Sequence, residues 1–135
     1  MRFVLDASVA VKWVIPEPDS AKALALLDDF RNKVHELLAP TTFPVEVAHA
    51  LTRAERKGVL LAGEAAPRLA RIFAFPPDLE PFLPLLPRAV ELSSQTRTGV
   101  YDCLYIALAE QEGCDMITAD QKLVNNLANP RIVLL

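Results

Sequence analysis

Short apolar runs alternate with longer amphipathic segments along the chain. The apolar runs have the length of buried strands and are bounded by Pro, Asp or Gly. One of them, 82–86, adjoins Pro81 and contains Pro84, so we expect it to form an edge strand, because proline cannot donate to a ladder. The predicted strands are Arg2–Leu5, 36–39, 82–86, Asp115–Thr118 and 131–135.

The segments between these runs have helical periodicity and helix start or stop residues. In the second of them, Leu24, Leu27 and Phe30 are expected to form the inward stripe. The sixth is rich in Ala and Leu and nearly uncharged in its middle, which predicts burial on most sides. The predicted helices are 7–13, 20–30, 43–57, 64–73, 87–96, 101–112 and 121–127.

Regular alternation of strands and helices predicts an α/β fold whose parallel sheet is covered on both faces. The length of 135 residues fits one domain, and we assign 1–135 to it. In sheets of this kind the functional crevice lies beyond the carboxyl ends of the strands.

Composition narrows the class of protein. With 52% hydrophobic residues and a net charge of −3, the chain is neither disordered nor strongly basic. No apolar stretch reaches the length of a membrane span, and the two Cys are too few for a disulfide framework. We therefore expect a cytoplasmic protein with no membrane partner. A polyanionic substrate would require a local basic strip or bound metal ions.

Four acidic residues occupy comparable places in the predicted fold. Asp6 ends the first strand, Asp120 follows the fourth, and Glu46 and Asp102 lie in first turns of helices. We expect all four near the carboxyl edge of the sheet. Each also has a structural explanation: Asp6 and Asp120 as N-caps, Glu46 reaching back to a cap amide, and Asp102 complementing a helix dipole.

If these carboxylates converge, their repulsion calls for a counter-ion. Oxygen ligands favour hard cations such as Mg²⁺ or Mn²⁺, and zinc is not expected because no Cys or His is predicted to join the cluster. Such ions lower the pKa of bound water and stabilise a phosphoryl transition state.

Four local motifs, in order along the chain, resemble those of the PIN-domain family and, within it, the VapC-type toxins of toxin–antitoxin pairs. The resemblance covers nearly the whole chain, and its most specific part is the Tyr-Asp pair that opens the Ala/Leu-rich helix, followed by Thr-x-Asp. The motifs are 4–9 (VLDASV), 44–48 (PVEVA), 101–110 (YDCLYIALAE) and 117–123 (ITADQKL).

The resemblance implies a three-layer α/β/α sandwich of strand order 3-2-1-4-5 and a Mg²⁺- or Mn²⁺-dependent endoribonuclease. Asp6, Glu46, Asp102 and Asp120 match its metal-binding and catalytic acids. Ser8 and Thr118 match hydroxyl residues that orient the first and last acid. Their structural alternatives are an N-cap for Ser8 and a β-branched strand residue for Thr118.

Basic residues near the acids are candidates for contacting RNA. Arg53 follows Glu46 by two helical turns, about 10 Å along the same helix face. Lys12, Arg97 and Lys122 are further candidates, although each is also a common type of solvated surface charge.

The family further implies a homodimer and a cognate VapB-type antitoxin that docks near the apolar segment 13–15. Two other hypotheses remain open at this stage. One is a phosphoacceptor receiver domain, which would need paired acids after the first strand and an aspartate after the third. The other is a family member that binds RNA or a partner without cleaving.

Overall fold

A computed structural model describes all 135 residues and contains one five-stranded parallel sheet of order β3-β2-β1-β4-β5 with helices on both faces. The predicted fold class and strand order are confirmed. The strands are β1 (Arg2–Leu5), β2 (Glu36–Pro40), β3 (Asp78–Glu80), β4 (Asp115–Thr118) and β5 (Ile132–Leu134). The helices are α1 (Ala7–Val11), α2 (Ser20–Arg31), α3 (Phe43–Arg56), α4 (Ala65–Ile72), α5 (Leu86–Thr96), α6 (Val100–Glu112) and α7 (Gln121–Leu127).

The order of the strands decides which helices share a face. Parallel crossovers are right-handed, so helices α1 to α4, which precede β3, cover one face and helices α5 to α7 cover the other. The packing agrees, because α3 contacts α1 and α4, whereas α6 packs on α5. From β1 the sheet grows through β2 to β3 on one side, and from β4 it grows to β5 on the other. The gap between β1 and β4 is therefore the topological switch point.

The core holds the central strand in place. Val4 and Leu5 of β1 are fully buried within a single cluster of 34 buried hydrophobic residues. Leu5 is in register with Ile117 of β4, and the backbone N–H of Asp6 donates to the carbonyl of Ile117 at 3.0 Å. The ends of β1 and β4 are therefore fixed side by side.

No helix of the protein is long and apolar enough to cross a bilayer.

The third strand lies elsewhere than predicted. Residues 83–85 form a short 3-10 helix that leads into α5, and β3 is Asp78–Glu80. Pro84 suits the first turn of a helix, where its missing N–H is not needed. The predicted edge position is correct, because β3 pairs only with β2.

The inward stripe of α2 was predicted correctly only in part, because Leu27 and Phe30 pack against the core but Leu24 does not. Ala23 and Leu26 are the buried positions, whereas Leu24 is 42% exposed and Leu27 is half-buried. The carbonyl of Ala23 accepts a hydrogen bond from Trp13 Nε1 at 2.9 Å, which brings that side of α2 against the end of α1. A small residue at 23 permits this close approach, and a periodicity based on Leu alone misses it.

Candidate active site

A cavity of about 990 Å³ opens beyond the carboxyl ends of β1 and β4, at the topological switch. The structure brings Asp6, Glu46, Asp102 and Asp120 to its wall. These side chains come from the ends of two strands and the first turns of two helices on opposite faces of the sheet. The topology thus gathers acids that lie as far apart as 114 residues in sequence.

Asp6 is the most buried of the four acids, with 6% of its surface exposed. Its Oδ2 accepts hydrogen bonds from Ser8 Oγ at 2.6 Å and from Thr118 Oγ1 at 2.8 Å. Asp6 occupies the N-cap position of α1, but its side chain caps no amide. Ser8 lies inside α1, so the N-cap alternative is wrong for Ser8. The hydroxyls of Ser8 and Thr118 hold the Asp6 carboxylate, which makes no capping hydrogen bond.

Asp120 is the true helix cap. Its Oδ1 accepts hydrogen bonds from the backbone N–H groups of Lys122 at 3.0 Å and Leu123 at 3.2 Å, at the start of α7. Thr118 Oγ1 accepts from the backbone N–H of Asp120 at 3.1 Å but does not touch its carboxylate. The expectation that Thr118 orients the last carboxylate is therefore wrong, because backbone amides already fix it.

Glu46 is held by a residue that the sequence analysis missed. Tyr105 Oη donates to Glu46 Oε2 at 2.6 Å, and Thr42 Oγ1 donates to the same oxygen at 3.4 Å. Glu46 does not reach back to a cap amide. One signal was available: Tyr105 follows Asp102 by three residues on α6, which places a phenol near a candidate acid on the same side of the helix.

Asp102 lies in the first turn of α6 and is half-buried. Its carboxylate accepts no hydrogen bond from the protein, and the N-cap of this helix is Gly99. The position complements the helix dipole, as the structural alternative requires. A carboxylate that is partly removed from water and has no donor is nevertheless costly, so this side chain is the least satisfied acid of the set.

Burial and mutual repulsion act together on these carboxyl groups. Burial raises the pKa of Glu46 to about 7, with further increases from the charges of Asp6 and Asp102, against the hydrogen bond from Tyr105. Burial raises the pKa of Asp102 to about 6, assisted by Asp6 and Asp120. Burial also raises the pKa of Asp6, although its hydrogen bonds oppose the shift. The set resists carrying its full negative charge without a cation.

Tyr105 remains a hydrogen-bond donor at neutral pH. Burial raises the pKa of its phenol, and the neighbouring charge of Glu46 raises it further. The phenol therefore donates the hydrogen bond to Glu46 Oε2.

Three of the four basic candidates line the cavity: Lys12, Arg53 and Lys122. Lys12 Nζ is paired with Glu17 Oε2 at 2.9 Å, whereas the Arg53 side chain has no carboxylate partner. Arg97 does not line the cavity. It ends α5 in a left-handed conformation with φ 58°, and its side chain is exposed.

One histidine, which the sequence analysis did not single out, also lines the cavity. His49 lines its wall one helical turn after Glu46 on α3. The spacing of three residues in a predicted helix was the signal that could have found it.

The donor set fits a hard divalent cation by its chemistry. The four acids supply oxygen ligands, and burial together with mutual repulsion raises the pKa of Asp6, Glu46 and Asp102, an effect that a bound cation would offset. As placed, no three His, Cys, Asp or Glu side chains stand in coordination geometry around one point. The fit therefore rests on donor type and electrostatics, and coordination would require the half-buried carboxylates to move.

A parallel sheet of this order with acids at its switch point defines a class of α/β/α domains. The PIN domain model of protein families matches residues 3–127, so the chain belongs to the PIN domain family. The predicted resemblance, including that to VapC-type proteins, is confirmed.

Two relatives are similar to this chain in sequence, and two solved structures share its fold. The chain is similar to Ribonuclease VapC3 of Pyrobaculum aerophilum, with 30% identity over 91% of this chain and 92% of the relative. It is 34% identical to Ribonuclease VapC12 of Mycobacterium tuberculosis, over 91% of this chain and 90% of the relative. The crystal structure of PAE2754 from P. aerophilum superposes with a TM-score of 0.75 at 18% identity, covering 99% of this chain and 83% of that chain. VapBC2 from Rickettsia felis, bound to a promoter DNA fragment, superposes at 0.66 and 16% identity, covering 100% and 98%.

The raised carboxyl pKa values predict an unusual pH dependence of stability. Groups with a raised folded-state pKa favour the folded state at low pH and lose that contribution as pH rises through the folded pKa. In EDTA, the free energy of unfolding should therefore increase by about 1–2 kcal/mol between about pH 8 and about pH 5, after allowance for solvent screening. Urea titrations at several pH values measure this.

Two variants test whether the carboxyl cluster causes this pH dependence of the free energy of unfolding. Asp102→Asn should be more stable than the parent at pH 8 and less dependent on pH, because it removes like-charge repulsion. Asp28→Asn, exposed on α2, should keep the parent profile. A parent protein that loses stability on acidification through this range would contradict the analysis.

Proposed function

We propose that this protein is a Mg²⁺- or Mn²⁺-dependent endoribonuclease and the toxin of a type II toxin–antitoxin pair in the cytoplasm. The observation that carries the proposal is the cavity at the switch point, whose wall holds Asp6, Glu46, Asp102 and Asp120. The names of the ribonuclease relatives support the reaction class. The biological setting is supported by a toxin–antitoxin complex from Klebsiella pneumoniae, which superposes with a TM-score of 0.63 at 15% identity.

The chain's own groups would divide the work. Asp6 is immobilised by Ser8 and Thr118 and forms the fixed point of the site. Asp102, which has no protein donor, is free to adjust toward a ligand. Together with Glu46 and Asp120 they would hold the divalent ion. When bound, that ion lowers the pKa of a water and offsets charge on the phosphate.

Basic residues beside the acids would hold the substrate. Arg53 and Lys122 line the same cavity as the carboxylates and are exposed, so phosphates can reach them. Each cation that neutralises a phosphate contributes a salt-dependent share of affinity. A chain with net charge −3 would thus bind RNA through a local strip and not through its overall field.

The receiver-domain hypothesis is not supported. Receivers share the 2-1-3-4-5 strand order of flavodoxin-like folds, whereas this sheet has the order 3-2-1-4-5. The third strand here is an edge strand that leads to Pro81, far from the switch point where a phosphoacceptor would lie.

Cleavage assays test the proposed reaction. Purified protein with Mn²⁺ should cut structured RNAs, and EDTA should stop the cutting. Asp102→Asn should reduce the rate at least 100-fold, on the order of 3 kcal/mol of lost transition-state stabilisation. Asp28→Asn serves as the matched control, since it makes the same chemical change outside the cavity. Equal rates for Asp102→Asn and the parent would contradict the proposal and favour a non-cleaving family member.

A groove away from the acids fits the proposed VapB-type antitoxin. It lies between the ends of α1, α2 and α4 and has an apolar floor and a basic rim. Such a groove suits an amphipathic segment with acidic flanks. The lining of this groove includes Trp13, Val14, Leu24, Leu27, Phe75, Arg31 and Arg71.

We propose that the protein also forms a homodimer, as the family implies.

Leu24→Asp tests the antitoxin surface. A charge at this partly exposed apolar position should weaken neutralisation of the toxin by its co-expressed antitoxin at least tenfold, because it buries an unpaired carboxylate at the contact. Val59→Asp is the control, since Val59 is 62% exposed and lies outside the groove. Equal neutralisation of both variants would place the antitoxin elsewhere.

A further inference from the structure

The two tyrosines of the chain lie one turn apart on α6 but have opposite surroundings. Tyr101 lines the cavity and is 60% exposed, and its hydroxyl makes no hydrogen bond within the protein. Tyr105 is fully buried, yet its hydroxyl reaches Glu46 Oε2 at 2.6 Å. Of the two tyrosine side chains, only that of Tyr105 donates a hydrogen bond to one of the four acids.

The hydrogen bond of Tyr105 crosses between the two helix layers. Glu46 belongs to α3 on one face of the sheet, and Tyr105 belongs to α6 on the other. It is the single side-chain hydrogen bond between these two helices. Because the phenol ring is packed in the core, its oxygen is a fixed point, while a glutamate on an open helix face has three rotatable bonds.

The bond also distinguishes the two oxygens of Glu46. Oε2 accepts from Tyr105 and, at 3.4 Å, from Thr42. Oε1 accepts no hydrogen bond from the protein. A short bond from a hydroxyl to a carboxylate is charge-assisted and roughly twice as strong as a neutral one, so it can select one orientation of the carboxylate.

We propose that Tyr105 is a positioning residue of the nuclease centre, which holds Glu46 by Oε2 so that Oε1 is the oxygen offered to a divalent cation. This inference rests on the proposed function. Outer partners that orient a ligating carboxylate are worth 10- to 100-fold in metal affinity. Tyr105 would act only through Glu46 and would not touch metal or RNA.

Calorimetric titration of Mn²⁺ into the metal-free protein tests the inference. Tyr105→Phe removes only the hydroxyl and should weaken Mn²⁺ binding at least tenfold. Tyr101→Phe makes the same change one turn away and should leave the affinity within about twofold, because that hydroxyl has no partner. In RNA cleavage at saturating metal, Tyr105→Phe should lower kcat and leave KM near the parent value.

The same substitution made in the Glu46→Gln variant shows whether Tyr105 acts on metal binding through Glu46. With Glu46→Gln already present, Tyr105→Phe should cause no further loss of Mn²⁺ affinity, since coupled residues are not additive. An equal loss in both backgrounds, or none in either, would overturn the inference. Failure of Tyr105→Phe to unfold cooperatively in EDTA would also overturn it, because the hydroxyl would then be a stability element. A parent protein that binds no Mn²⁺ would instead refute the proposed function itself.

Discussion

Repulsion among carboxylates at the end of the central strands is the constraint on which the site depends. Asp6 follows β1 in the most buried part of the cluster. Burial raises the pKa of both Glu46 and Asp102, and the charge of Asp6 raises both further. The fold tolerates this because hydroxyl groups and backbone amides satisfy Asp6 and Asp120. Glu46 and Asp102 carry the remaining electrostatic cost, which a divalent cation would offset.

The sheet order creates that constraint. Placing β1 beside β4 joins the ends of the two strands that carry Asp6 and Asp120. Right-handed crossovers then put α3 and α6 on opposite faces, with their N-terminal turns at the same edge. The site is thus closed from both faces, and the Tyr105–Glu46 hydrogen bond joins the two halves. Core packing of Val4 and Leu5 fixes the arrangement.

Elements with a strong local pattern could be predicted from the sequence. The bounds of β4 and the cap at Asp120 followed from an apolar run between polar boundaries. The third strand could not, because Asp78–Glu80 is only three residues long and gains its strand conformation by pairing with β2. Proline near 82–86 indicated an irregular edge but not a 3-10 helix.

The residues of the candidate site could likewise be predicted only in part. Acids at strand ends and first helical turns could be located, since the topology of a parallel sheet dictates where these lie. Tyr105 could not be assigned, because its partner is 59 residues away and only the packed structure brings them together. Arg97 lies outside the cavity for the related reason that the turn from α5 into α6 sets its direction. The periodicity of a sequence does not predict contacts between residues that are far apart along the chain.

Anomalous diffraction from a crystal soaked in Mn²⁺ tests the central claim most directly. The account predicts a peak inside the switch-point cavity, with carboxylate oxygens of Asp6 and Asp102 within about 2.0–2.3 Å of it. A Mn²⁺-soaked crystal with an empty cavity, or with the ion bound only at exposed acids elsewhere, would contradict it.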